Sequence, residues 1–199
     1  MTHLSAPLLA DMLKESMARG LTPNLTLTSN SMSPLLRAGD QVQIEAADPA
    51  TLQIGDIVTL VDRDNSAQLL THRFWGARAQ AGEVELVTRG DRPLLFDAPL
   101  PAHKLVGRVT ARRRGAGRLA LRAGVGQRLN QFLTRLAGAE LRWLTGLDEA
   151  DWVRETAVAN ARAAQQQTRL PVRLLRKTLL LATTIVVACV GQIASRKSS

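Results

Sequence analysis

The chain has 199 residues and a formal net charge of +9, room for one domain and an appendage. Its single cysteine, Cys189, excludes an intrachain disulfide, and three scattered histidines (His3, His72, His103) show no metal-ligand spacing, so neither a metal nor any other cofactor is expected. The charge is lopsided: residues 1–110 carry 10 Lys and Arg against 12 Asp and Glu, and residues 111–199 carry 16 against 5. The basic half invites an anionic partner, but 3% aromatics and no tyrosine leave no platform for stacking bases.

The first element expected is a short amphipathic helix over residues 5–19. Leu8, Leu9, Met12, Met17 and Leu21 fall partly in helical register, and Gly20 ends it. Asp11, Lys14 and Glu15 interrupt the apolar run, so the segment 1–21 does not read as an export signal. Residues 22–113 read as mainly β. Short runs at strand length occur at 25–28, 42–44, 57–61, 69–74, 84–87 and 105–109. Turn signals separate them at Ala38-Gly39-Asp40, Asp64-Asn65-Ser66, Ala81-Gly82 and Gly90-Asp91. Strands this short, with turns this frequent, predict a barrel or sandwich rather than βαβ units.

The basic run Arg112-Arg113-Arg114, followed by Gly115 and Gly117, reads as a hinge. A helical extension is expected over 114–169, with Val125, Leu129, Phe132, Leu133 and Leu136 on one face. A second stretch begins near Trp152, Val153 and Val158, with Asp148 as its N-cap. The last section, 170–199, contains an uncharged apolar run from Thr178 to Ala194, with Arg173, Arg176 and Lys177 before it and Arg196 and Lys197 after. Seventeen residues sit at the lower limit for crossing a bilayer. A membrane-inserted helix is expected there; the alternative is an apolar helix packed on a partner or on the β domain.

The chemistry lies in an ordered series within 22–113: Ser29-Asn30-Ser31-Met32-Ser33-Pro34, Leu36, Gly39-Asp40, Gly55-Asp56, His72-Arg73, Arg89-Gly90-Asp91 and Asp97. It supplies a hydroxyl, an imidazole and carboxylates, the parts of a nucleophile, a base and a group that orients the base. Ser33 is a rival hydroxyl. Gly39-Asp40 and Gly55-Asp56 read as turns that set strand register.

This series resembles the signal peptidase I family, and within it the Ser–His branch of archaea, the endoplasmic reticulum and some bacteria. The resemblance covers about residues 22–110 and departs from the family at Asn30, where a glycine is usual, and in the missing N-terminal anchor. It implies a β-barrel-type peptidase core of the signal-peptidase and LexA-like kind, with Ser31 as nucleophile and His72 as general base. Asp91 or Asp97 would orient the imidazole, and the Ser31 N–H and Ser29 hydroxyl would stabilise the oxyanion. The Ser–Lys branch, and with it a LexA-like self-cleaving regulator, fits less well. The β region holds only Lys104, beyond the expected strand, and the residues before it leave no room for a helix-turn-helix.

The resemblance further implies a peptide or preprotein substrate, bound extended beside a strand and cut after small residues. The C-terminal region would contact membrane lipid. The dense basic residues before the apolar run favour a cytoplasmic position for the β domain on the positive-inside rule. A non-enzymatic alternative is a degenerate peptidase fold serving as a membrane adaptor through the helices of 119–165.

Overall fold

A computed structural model describes residues 5–62, 69–168 and 170–196. The expected turn at Asp64-Asn65-Ser66, together with His3 and Lys197, lies outside the described residues. The fold is mainly β: one curled antiparallel sheet with helices packed on it. Helix α1 (Ala6–Ala18) precedes strands β1 (Asn24–Thr26), β2 (Gln41–Glu45), β3 (Ile57–Val61), β4 (Leu69–Gln80), β5 (Glu83–Arg89), β6 (Leu100–Pro101), β7 (Leu105–Arg114) and β8 (Gly117–Ala120). Four helices follow: α2 (Gly124–Thr145), α3 (Glu149–Arg154), α4 (Thr156–Gln167) and α5 (Leu170–Arg196).

The sheet runs β1-β2-β7-β3-β4-β5-β6, with β8 paired to β7. The two-residue step Ala81-Gly82, both at positive φ, joins β4 to β5. β3 is buried along its whole length, and residues 71–75 of β4 are buried on both faces. The helices cover one face, over Ile57 and Val61, while Val58, Leu60 and Phe74 pack on the other with Leu86, Leu100 and Leu105 of the sheet itself.

The basic run is not a hinge. Arg112–Arg114 lie within β7 and turn through Gly115 (φ +56) into β8. Arg112 is buried and donates from Nη1 to the Leu35 carbonyl at 2.8 Å. Arg114 holds both carboxylate oxygens of the buried Asp40 at 2.7 Å each. Burial lowers the Arg112 guanidinium to about 10, with Arg114 acting in the same direction and Asp40 opposing it. The basic residues therefore lock the segment after Ser31 to the sheet.

Nor is the helical extension separate from the β domain. Leu129 and Leu133 of α2 and Val187 of α5 enter one core cluster with Leu13, Met32, Leu35, Ile44 and Val109. A second cluster stacks Trp75 of β4 edge-on to Trp152 of α3, ring centroids 5.7 Å apart, with Phe96 beside them. Asp148 caps α3 as expected, accepting from the Asp151 N–H at 2.9 Å. The expected apolar face of α2 is only half right: Leu129 and Leu133 are buried, but Val125 and Phe132 are exposed. α1 buries Ala10, Leu13 and Met17 and leaves Leu8 and Met12 outside.

Candidate active site

Ser31 lies in a tight turn between β1 and β2. Asn30 accepts the Ser33 N–H with its carbonyl and the Ala38 N–H with its side chain, at 3.0 and 3.1 Å. This side-chain bond gives Asn30 a structural use. Among the described non-glycine residues only Ala81 has positive φ, so Asn30 needs no left-handed backbone. The Ser33–Pro34 peptide is cis, and Leu35 and Leu36 are fully buried beneath it.

His72 sits on β4 opposite Val58 and is buried. Its Nε2 lies 2.8 Å from Ser31 Oγ, and its Nδ1 lies 2.7 Å from Asp97 Oδ2. The carboxylate can only accept, so Nδ1 carries the proton and Nε2 is left to accept from the Ser31 hydroxyl. Thr88 of β5 donates from Oγ1 to the same Asp97 oxygen at 2.7 Å, and the Asp97 N–H donates to the Thr88 carbonyl at 2.9 Å. Asp97 is thus held from two directions while it holds His72.

The other aspartate candidate is elsewhere. Asp91 forms a two-pronged pair with Arg73, Nε and Nη2 to its two oxygens at 2.7 and 2.8 Å, and does not reach His72. Adjacent residues on a strand point to opposite faces, so His72 and Arg73 carry their partners apart. Arg73 is fully buried. Its Nη1 donates to the Gly55 carbonyl and to Asn130 Oδ1 and Thr134 Oγ1 of α2, at 3.0, 2.7 and 2.7 Å.

Ser29 Oγ lies 3.1 Å from Ser31 Oγ and accepts the Ser31 N–H at 3.5 Å. The Ser31 N–H and the Ser29 hydroxyl, the two expected oxyanion donors, therefore stand close together. They are bonded to each other, so that weak bond must open for both to face an oxyanion.

Three functional residues escaped the reading by motif. Thr88 looks like any strand threonine, and Asn130 and Thr134 lie far along the chain. Gly90 belongs to the Arg89-Gly90-Asp91 step of the ordered series. A Cβ there would stand 2.8 Å from Pro93 Cδ, 2.9 Å from the Ser31 carbonyl and 3.1 Å from His72 Nε2. The Arg-Gly-Asp step thus keeps the space at His72 Nε2 open. No family model matches this chain, and no curated protein matches it.

Beside Ser31 runs a cleft of about 330 Å³ lined by residues 25–29, Met32, Leu69, Thr71 and Leu9. Two strand edges border it. β1 pairs with β2 alone, and β4 pairs with β5 only from Arg73 onward, so among the described residues Leu69–His72 are paired on the β3 side only.

Proposed function

We propose that this protein is a serine endopeptidase of signal-peptidase-like chemistry, cutting an extended peptide after a small residue. The observation that carries the reading is the unbroken line Ser31 Oγ, His72 Nε2, His72 Nδ1, Asp97 Oδ2, with links of 2.8 and 2.7 Å. A serine hydroxyl becomes a competent nucleophile when a base takes its proton as it attacks. His72 Nε2 takes that proton, and Asp97 fixes the ring and stabilises the imidazolium that results. The scissile carbonyl becomes tetrahedral, with its oxyanion met by the Ser31 N–H and the Ser29 hydroxyl. The imidazolium then returns the proton to the leaving amine, and an acyl group stays on Ser31. Water, activated by His72, releases it.

The cleft supports an extended substrate. A peptide strand lying between the edges of residues 25–28 and 69–71 pairs its backbone with both. Leu9, Leu27, Met32 and Leu69 offer its side chains an apolar floor. The preference for a small residue before the cut rests on the family resemblance.

The test is labelling by a fluorophosphonate serine probe, together with cleavage of a library of Ala-x-Ala peptides. Wild type labels and cleaves. Ser31→Ala does neither, and His72→Ala loses cleavage. Absence of labelling in folded wild type sinks the peptidase reading and leaves the adaptor one.

A further inference from the structure

The second half of the chain presents an apolar surface that no element among the described residues covers. On α2, residues 125, 132, 136, 139 and 143 lie within a narrow arc of the helix at 3.6 residues per turn. Of these, Val125 is 47%, Phe132 49% and Trp143 59% exposed. On α5 the buried residues Thr183 and Val187 face the sheet. The opposite side shows Leu181 at 64% and Ile185 at 55%, with Cys189 exposed beside them. A cleft between the helices brings Leu136 of α2 to Leu179 and Leu180 of α5, on the flank of its buried side.

The charge around this surface is mainly basic, its exposed acid Glu149 being paired with Arg142 at 3.5 Å. Arg128 and Arg135 run alongside the α2 stripe, and Lys177 opens the exposed face of α5. All three are exposed and without an ion-pair partner among the described residues. The sole acid of α2, Glu140, is taken by Arg176, whose Nε donates to it at 2.7 Å. From Thr156 to Ser199 the sequence has seven basic residues and no acidic one. A partner for this face must be apolar at its centre and negative at its rim. An anionic bilayer surface has that character, and Trp, Phe and Leu beside Arg are the residues that seat an in-plane helix in it.

We propose that the α2–α5 face docks on an anionic lipid bilayer with both helices lying in the interface plane. Among the described residues no helix is long and apolar enough to cross a membrane. The positive argument for lying flat is Val187, fully buried in the main core, which a spanning α5 would have to withdraw. The docking face borders the nucleophile loop. Arg176 Nη2 donates to the Arg92 carbonyl at 2.9 Å, and the Arg92 N–H donates to the Ser31 carbonyl at 2.8 Å. The proposal does not need the peptidase reading, and its test is run on the full-length Ser31→Ala chain so that catalysis plays no part.

The experiment is sedimentation with phosphatidylcholine vesicles, with and without phosphatidylglycerol, read together with two built-in reporters. Trp143 is exposed while Trp75 and Trp152 are buried, so a blue shift on docking comes from Trp143 and disappears in Trp143→Phe. A bimane on Cys189 shifts in parallel. Binding requires the anionic lipid and weakens with salt. Arg128→Gln with Arg135→Gln weakens it roughly twentyfold to thirtyfold, at about 1 kcal/mol per basic residue. Phe132→Ser with Ile185→Ser abolishes it, and both double variants keep the parent's melting temperature because all four side chains are exposed. Three results overturn the proposal. One is no binding, or binding indifferent to phosphatidylglycerol. Another is binding that survives Phe132→Ser with Ile185→Ser. The last is a concentration-dependent dimer that shields Cys189, which assigns the face to a second copy of the chain.

Discussion

Asp91 and Asp97 stand six positions apart and carry the same carboxylate, yet their neighbours give them opposite uses. Asp97 accepts from His72 Nδ1 and from Thr88 Oγ1, so its charge acts on the imidazole. Asp91 neutralises a guanidinium that is fully buried. Replacing each by asparagine separates the two roles. Asp97→Asn permits the wrong imidazole tautomer, and by analogy with other Ser–His–Asp sites kcat falls on the order of 10⁴-fold, with melting temperature and KM little changed. Asp91→Asn strands Arg73 in the interior, a loss of about 3–5 kcal/mol, seen in urea unfolding before any assay. Equal loss of kcat without loss of stability in both variants would contradict the assignment. Sequence placed both residues near His72 and could not choose between them. The choice depends on which face of β4 each side chain meets, and that is fixed by the β4–β5 register. Ser31 and His72 were legible because each sits in its own local motif.

At the scale of elements, the decisive contact is between β4 and α2. Arg73 follows His72 directly, and its Nη1 is shared by Gly55, Asn130 and Thr134. Asn130 Nδ2 also donates to the Gly55 carbonyl at 3.0 Å. Gly55 is required twice over: its φ is +98°, and a Cβ would stand 2.7 Å from Thr134 Oγ1. The helix therefore positions the strand that carries His72. Asn130→Ala and Thr134→Val each remove a bond to a buried cation, worth about 1.5–3 kcal/mol. A drop of that size in chemical unfolding is expected, together with a lower kcat at unchanged KM. A kcat untouched at temperatures where the variants remain folded would reduce α2 to simple packing. Sequence drew a border at Arg112-Arg113-Arg114, ahead of β8 and this helix, because a basic run followed by glycines reads as a hinge. The partners that bury it, Leu35 and Asp40, lie more than 70 residues earlier, and nothing local announces them. The strands themselves were readable from apolar runs and turn residues. β6, two residues long, and β8, a short hairpin return rich in Gly and Arg, carried too little pattern to be seen.

Across the whole molecule, β5, α2 and α5 are joined through a chain of charges: Arg89, Glu140 and Arg176. Its links are unequal. Arg176 bonds Glu140 at 2.7 Å, whereas Arg89 Nη2 stands 3.9 Å from it, and Arg89 Nε and Nη2 have no hydrogen-bond partner among the described residues. Arg89 retains a 3.4 Å bond from Nη1 to the Leu94 carbonyl and a position 5.6 Å from the centre of the Trp75 ring. Burial pulls its guanidinium down to about 10, with the Glu140 charge opposing. A cation whose folded value lies below its unfolded one costs stability wherever it is charged in the fold. That cost is fully present below about pH 10 and shrinks only as pH rises above it. Arg89→Met therefore removes a penalty without orphaning Glu140, which keeps Arg176. Urea unfolding at neutral pH should find the variant as stable as wild type or more stable, by up to about 4 kcal/mol. Arg176→Met should do the reverse, since it deprives Glu140 of its close partner and frees the carbonyl of Arg92 beside the nucleophile loop. Clear destabilisation by Arg89→Met would mean that the attraction of Glu140 and the face of Trp75 outweigh desolvation. The buried cation would then be a working tie between the sheet and the helices α2 and α5 rather than a cost that the core absorbs.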